Sequence, residues 1–143
     1  MDPQEVLALT TAPSLEVLSD DECLRLLARE PVGRLALTAK ALPVVLPVNF
    51  TLTGRTIVFA SAPGLKLDAA HAGMVVCLEV DGFDRISHGG WSVLATGRLH
   101  EITDPHRLEE ARRLPLSPWA LTQAQHYVQL QIELLSGRRI NRP

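Results

Sequence analysis

One lysine follows a turn of small residues in the stretch FASAPGLKL, which runs from Phe59 to Leu67. It is Lys66, one of only two lysines among 143 residues. An ammonium group that comes after a strand and a Pro63-Gly64 turn, at the start of a helix, lies beside free amide groups and suits a phosphate. A solvated lysine on an ordinary turn explains the same residues, so both interpretations stay open at this point.

Trp91 is the second residue with a possible ligand role, because it follows Gly89 and Gly90 and opens a predicted strand. An indole in that position could stack on a flat cofactor, or it could pack in the core as most tryptophans do. The sequence alone does not separate the two.

The sequence lacks the motifs of several other common catalytic and metal sites. No pair of the five histidines has the i, i+4 spacing with a glutamate between them that makes a zinc site on a helix, so we predict no metal site. There is no G-x-S-x-G elbow and no phosphate-binding G-x-x-x-x-G-K-S/T loop. Cys23 and Cys77 lack a CxxC spacing, and we predict reduced, buried thiols.

Charge and hydropathy limit the setting and the partners. The formal net charge is −2, and the basic residues are scattered among 16 acidic ones, which argues against a nucleic-acid surface. Asp2 and Glu5 stand where a secretory signal would be basic, and no apolar run approaches the roughly 20 residues of a membrane span. The sequence therefore predicts one cytoplasmic domain with no membrane and no nucleic-acid partner.

The elements that must position these residues are short strands with a few helices between them. Ser19 and Glu22 form an S-x-x-E capping box before a helix over about 20–30 that Pro31 ends. Two more short helices are predicted in LKLDAAHAG and DPHRLEEARRL. Strands are predicted in VGRLALT, at about 43–52 and 56–61, in MVVCLEVDGFD, in GWSVLATGRLHEIT and in YVQLQIELL. Strands joined by hairpins predict a mainly β protein, an antiparallel barrel rather than a doubly wound parallel sheet.

The order and spacing of four stretches resemble the pyridoxamine 5'-phosphate oxidase-like family of flavin-binding split barrels, in its small actinobacterial-type branch. The stretches are VGRLALT, LPVNFTLTGRTIVFASAPGLKL, VCLEVDGFD and GWSVLATGRLHEITD. The resemblance covers about Leu18 to Arg139. It implies an N-terminal arm at 1–17 and one domain at 18–143, a six-stranded antiparallel Greek-key split barrel. It also implies a homodimer with flavin mononucleotide (FMN) in two clefts between the subunits.

The resemblance further implies a set of cofactor-binding residues. The strand from Pro47 to Phe50 would run along the flavin ring, Ala60 and Ser61 would reach the phosphoribityl chain, Lys66 would pair with the phosphate, and Trp91 would line the ring or the substrate side. Asn49 could bond the pyrimidine edge or simply cap a strand. The full predicted set is Val48, Asn49, Phe50, Ala60, Ser61, Lys66, Leu67 and Trp91, with no catalytic residue identified.

This chain departs from the family pattern at two positions. Many relatives read F-R-T before the turn and G-T-K within it, whereas this chain has Ala60 and Leu65 at the positions of the arginine and the threonine. One charge-assisted contact is worth roughly 1.5–3 kcal/mol, so the missing arginine would weaken phosphate binding. Arg138 and Arg139 could compensate, although we expect them to form a solvated tail.

Three functions follow from the resemblance. The first is an oxidoreductase that passes hydride or electrons from a donor to a small organic acceptor through FMN, or through a deazaflavin coenzyme. The second is a flavin- or haem-binding dimer that does not turn over. The third is a cofactor-free barrel that serves as an interaction protein.

Overall fold

The computed structural model describes residues 14–116 and 125–141. Three helices lie between the strands: α1 (Asp20–Arg29), α2 (Leu65–His71) and α3 (Pro105–Arg112). The strands are β1 (Ser14–Val17), β2 (Val32–Ala39), β3 (Leu42–Asn49), β4 (Thr51–Thr53), β5 (Thr56–Ser61), β6 (Val75–Phe83), β7 (Gly90–Glu101) and β8 (His126–Asn141).

The sheet curls back on itself. Its hydrogen-bonded order is β3-β2-β6-β7-β8-β5-β4, with β1 paired to β8, and every pair is antiparallel. The order begins and ends on β3 and β4, which are two halves of one strand bent at Phe50. Counting them as one gives six barrel strands, so the predicted antiparallel split barrel is confirmed, with β1 added along β8.

The core fills the inside of this curled sheet, and period-2 alternation explains which side chains reach it. In β6, Val76, Leu78 and Val80 are buried and their neighbours are not. Phe59 is completely buried, and Leu26 and Leu27 of α1 pack into the same cluster. Helix α1 therefore closes the barrel with an amphipathic face, as its sequence pattern predicts.

The long strand β8 holds the barrel together. Its first residues pair with β5, where Ser61 lies opposite His126, and its last residues pair with β1, where Ser14 lies opposite Asn141. Strand β7 pairs with β8 along nearly its whole length. The two ends of β8 thus serve two different parts of the molecule.

A β-bulge lets β8 follow the curve. The register between β7 and β8 shifts between Thr96 and Gly97, and Glu133 is the residue left over on β8. A Cβ on Gly97 would come within 1.9 Å of the carbonyl oxygen of Gln131. Glycine is required there because two backbones approach more closely than any side chain allows.

The helices and most strands lie where the sequence predicts them. Ser19 caps α1 by accepting a hydrogen bond from the Glu22 amide at 3.2 Å, and Asp104 caps α3 by accepting one from the Arg107 amide at 3.0 Å. Of the predicted arm at 1–17, residues 1–13 lie outside the described residues, and the last four form β1. Both cysteines are free; Cys23 is buried and Cys77 is half-buried.

One expectation about the chain end is wrong. Strand β8 does not stop at Leu135 but continues through SGRRIN to Asn141, paired on both sides, so Arg138 and Arg139 do not form a solvated tail. Gly137 within this stretch lets β8 pack closely against α1, because a Cβ there would lie 2.6 Å from Cys23 Sγ.

We predict that Gly97→Ala lowers the free energy of unfolding by at least about 2 kcal/mol, because its methyl group overlaps a backbone carbonyl that cannot move without breaking the β7–β8 ladder. Gly54→Asn is the control: Gly54 has φ of 63° with open space around it, and asparagine tolerates that conformation. Urea unfolding of both variants measures the difference. Equal, small effects would show that the bulge adapts to a side chain.

Candidate functional site

The structure brings two of the predicted cofactor segments side by side. Thr51 of β4 lies opposite Val58 of β5, and Asn49 ends β3 just before the bend at Phe50. Strand β3 itself contacts β5. The segment around Asn49 and the end of β5 are therefore neighbours on the barrel, as the resemblance implies.

The side chains in this region divide into buried and accessible ones. Val48, Phe50 and Leu67 are 4%, 3% and 5% exposed and belong to the core cluster, so a bound ring would meet their backbone rather than their side chains. Asn49 and Ala60 are half-buried at the surface.

Ser61 ends β5 and its hydroxyl is already used. The side chain is 3% exposed, and its Oγ donates a hydrogen bond of 2.7 Å to the carbonyl oxygen of the next residue, Ala62. The hydroxyl retains acceptor capacity, but it would have to rotate in order to donate to a ligand.

The turn after Ser61 places Lys66 in the first turn of α2. Gly64 precedes the helix with φ of 155°, a backbone region that is essentially restricted to glycine, and no side chain caps the helix. Lys66 is half-buried and forms no ion pair or hydrogen bond with any of the described residues. An unneutralised ammonium group therefore lies close to the end of β5, where it could hold an anion.

Trp91 lies elsewhere in the chain. It pairs with Gly82 on β6 and with Arg139 on β8, whereas Ser61 pairs with His126 at the other end of β8. The strand rises roughly 3.3 Å per residue, so the two places are far apart within one chain. The structure thus groups seven of the eight predicted residues and leaves Trp91 apart from them.

A cavity of about 690 Å³ surrounds Trp91. It is open and is lined by the β6–β7 connection and the end of β8, including Phe83, Ile86 and Arg139. The indole packs against Gly82, where a Cβ would come within 2.5 Å of Trp91 Nε1. This end of the barrel offers an aromatic surface, and the Lys66 end offers a cation.

Arg139 forms ion pairs with two acidic neighbours. It donates a hydrogen bond of 2.8 Å to Glu22 Oε1 on α1 and lies 3.6 Å from Glu16 of β1. Arg25 and Arg139 together lower the pKa of Glu22 to about 2. Arg139 therefore ties α1 and β1 to β8 and is not placed to replace the missing phosphate arginine beside Lys66 in the same chain.

A carboxyl group lies half-buried on the outer face of the sheet. Glu79 of β6 is flanked in register by Arg34 of β2 and Leu94 of β7, and its buried Oε1 atom has no hydrogen-bond partner among the residues that the structure describes. Burial, followed by hydrogen bonding and repulsion from Asp81, raises the pKa of Glu79 to about 7. Arg34 reaches Asp81 at 3.5 Å and offsets this only in part.

A second cluster lies beside the Lys66 segment. Glu101, at the end of β7, accepts a hydrogen bond from His71 Nε2 at 2.6 Å on one oxygen and from His126 Nδ1 at 2.8 Å on the other. His71 is the last residue of α2, and His126 is the partner of Ser61. Hydrogen bonds from His126 and then His71 hold the pKa of Glu101 below its usual range.

Sequence reasoning missed both clusters. The members of the His71–Glu101–His126 cluster are far apart in sequence and have no helical spacing, so no motif joins them. The available signal was position: Glu101 ends one strand and His126 begins the next, and adjacent antiparallel strands bring such ends together. Glu79 and Asp81 alternate with buried Leu78 and Val80, which was a signal for a charged outer face.

Two kinds of site are absent from the described ranges, 14–116 and 125–141. No group of three or more histidine, cysteine, aspartate or glutamate side chains there has a geometry that could hold a metal ion. None of the helices in these ranges is long and apolar enough to cross a membrane.

The curled antiparallel sheet and its strand order define a split-barrel protein. Residues 19–139 match the sequence model of the pyridoxamine 5'-phosphate oxidase family. The chain belongs to that family.

Individual relatives agree with this assignment. An uncharacterized protein from Mycobacterium tuberculosis is 37% identical over 128 residues, which cover 86% of this chain and 84% of that protein. The structure of an FAD-binding protein from Mycobacterium smegmatis is similar with a TM-score of 0.76 and 32% identity, covering 90% of this chain and 100% of that one. An FAD-binding protein from Mesorhizobium loti gives 0.74 and 28%, covering 87% and 97%.

The raised pKa of Glu79 gives a pH dependence of stability with a definite sign. Between about 4.5, its ordinary value, and about 7, the folded chain holds a proton that the unfolded chain has lost, so the free energy of unfolding falls as pH rises through this window. Glu79→Gln is neutral at every pH and should lack this contribution. We predict that the stability advantage of Glu79→Gln over the parent grows from pH 4.5 to 7 and is then constant.

Urea unfolding at a series of pH values measures the difference between the two proteins, which removes the contributions of the other carboxyl groups. The exposed Glu133→Gln serves as the control for replacing a carboxyl group by an amide on the sheet. A flat difference for Glu79→Gln would show that the carboxyl is solvated in the folded protein.

Proposed function

We propose that the protein binds the FMN portion of a flavin nucleotide as a homodimer and acts as an oxidoreductase toward a small organic acceptor. The observation that carries this proposal is the Ser61–Lys66 segment: a half-buried lysine without an acidic partner among the described residues, next to the wall formed by Asn49 and Ala60. Family membership and the FAD-binding relatives support it.

The residues present suit a flavin phosphate and ring. Lys66 would neutralise the phosphate, and the exposed edge of the Asn49 segment would offer main-chain groups and one amide to the pyrimidine edge of the ring. A bound flavin supplies the hydride or electron transfer itself. The protein would contribute position, charge and exclusion of water.

The single cation at this site predicts modest affinity. With Ala60 in the family's arginine position, the phosphate would have Lys66 alone from this segment, and the loss of one charge-assisted contact corresponds to a roughly ten- to hundredfold weaker complex. A cofactor held this weakly would exchange with the free pool. The alternative of a protein that binds flavin without turnover is therefore tested together with the oxidoreductase.

The identity of the cofactor follows from uptake. FMN, FAD and a deazaflavin coenzyme share a phosphate beside a tricyclic ring, so each is offered to the purified protein in turn and binding is followed by visible absorption and fluorescence. Reduction of the loaded protein by nicotinamide donors then tests the oxidoreductase. Uptake of none of the three would remove the proposal and favour a cofactor-free interaction protein.

We predict that Lys66→Ala weakens FMN binding at least tenfold, because a charged phosphate contact is lost while the ring contacts remain. Lys40→Gln, which removes the charge of the other lysine, is the matched control and should leave the dissociation constant unchanged. Fluorescence titration measures both. If the two variants bind FMN equally well, Lys66 does not hold the phosphate.

The proposed dimer would cover the outer face of the sheet with a second copy. This face carries exposed apolar side chains at Val45, Leu94 and Leu134 around the half-buried Glu79. Contiguous apolar surface of this kind marks an interface more often than solvent-exposed sheet. A second copy would also supply the Trp91 cavity that lies out of reach of Lys66 within one chain.

A mixed dimer tests whether Lys66 and Trp91 of different subunits form one cleft. Lys66→Ala and Trp91→Ala chains carrying different tags are co-expressed, and hybrid dimers are isolated through both tags. We predict one intact FMN site per hybrid dimer, although each variant alone binds weakly, because an isologous interface then unites the two unmodified residues. Hybrids that bind FMN no better than the single variants would place both residues in a cleft of the same subunit. If light scattering shows a monomer, the cleft between subunits does not exist.

A further inference from the structure

The cluster of His71, Glu101 and His126 joins three elements at the end of the barrel that carries Lys66. Glu101 comes from β7, His71 from the end of α2, and His126 from the start of β8 opposite Ser61. Both contacts are short, at 2.6 and 2.8 Å, and each oxygen of the carboxylate accepts one of them. The Glu101 carboxylate therefore links α2 through one oxygen and β8 through the other, and we call this pair of contacts the tether.

The tether acts on the segment that holds the proposed anion. Lys66 and His71 lie on the same helix of seven residues. A contact that holds His71 in place therefore restricts the movement of the whole helix, including Lys66. His126 fixes the other side, because the β5 end at Ser61 is hydrogen-bonded into the same strand. Arg98 of β7 adds a further link by donating to the Gly73 carbonyl just beyond α2 at 3.0 Å.

Burial and charge make the carboxylate suited to this task. The Glu101 side chain is 19% exposed, less than His126 at 36% and His71 at 57%. Hydrogen bonds to an ionised partner are roughly twice as strong as neutral ones. The groups that face Glu101 are one imidazole from α2 and one from β8, and both donate to it, which fixes which nitrogen of each ring bears a proton.

We propose that Glu101 is a positioning residue for anion binding: it fixes helix α2 against the β5–β8 pair and so sets where the Lys66 ammonium stands relative to Ser61. The inference rests on the proposed function for its ligand, a flavin phosphate, while the tether itself belongs to the free protein.

The sign of the expected effect separates positioning from simple electrostatics. Glu101 is an anion close to a site for an anion, so charge alone predicts that its removal strengthens phosphate binding. Positioning predicts the opposite, since a loosened α2 spreads Lys66 over several positions and reduces its contact with the phosphate.

The test compares FMN with riboflavin, which has the same ring and no phosphate. For Glu101→Gln we expect FMN binding to fall about tenfold and riboflavin binding to remain within twofold, because only the phosphate contact depends on α2. Glu110→Gln is the matched control: it removes the acidic partner of another histidine, His106, on the exposed surface of α3 at 3.1 Å. An equal loss of affinity for both ligands would indicate that the substitution destabilises the protein generally. Tighter FMN binding would indicate that Glu101 affects the phosphate only through its negative charge. Either outcome overturns the proposal.

Amide hydrogen exchange in the protein without ligand tests the tether independently of whether a flavin binds. We expect faster amide exchange in α2 for Glu101→Gln and no change for Glu110→Gln, whether or not flavin binds. If the parent takes up neither FMN nor riboflavin, the proposed function fails, and the tether is judged on exchange alone. Unchanged exchange in α2 would refute it.

Discussion

The closure of the barrel through β8 is the constraint on which the rest of the structure depends. One strand of sixteen residues joins β5, β7 and β1, and it reaches all three only because the bulge at Gly97 lets it turn with the curved sheet. The close approach of two backbones at that point leaves no room for a side chain. Without this pairing the end of β5 would have no partner, and the turn that presents Lys66 would start from an unanchored strand.

Three glutamates show how the same side chain acquires three different properties from its position. Glu22 faces two arginines and remains ionised to low pH, whereas Glu79 lies against apolar neighbours and Asp81 and holds its proton to about neutral pH. Glu101 lies between two imidazoles and remains a carboxylate. Of the three, Glu79 is the one whose pKa is raised by burial, and one of its carboxyl oxygens lacks a hydrogen-bond partner among the described residues.

Local signals in the sequence predicted most of the fold. Ser19 and Asp104 identify helix starts because their side chains accept from nearby amides, and alternation in β6 identifies its buried face. The bend at Phe50, which divides one predicted strand into β3 and β4, and the extension of β8 through Gly137 have no local signal. Both are decided by contacts with elements distant in sequence.

The candidate site was predictable to the same degree. The order of the segments around Asn49 and Lys66 pointed to a shared wall, and the contact between β3 and β5 brings the Asn49 segment next to the strand that precedes Lys66. The distance of Trp91 from that wall within one chain depends on the stagger of the whole barrel, and the pairing of Glu101 with two histidines depends on where β8 begins. Neither follows from spacing along the chain.

The position of β8 at the C-terminal end of the domain has a consequence during synthesis. Ser61 leaves the ribosome well before its partner strand β8, so the end of β5 and the turn that follows it lack their hydrogen-bonded frame for on the order of seconds at roughly 5–20 residues per second. A nascent chain therefore emerges with an incomplete sheet edge at β5. The Ser61 end of β5 acquires its hydrogen-bonded partner only when β8 has been released and inserted.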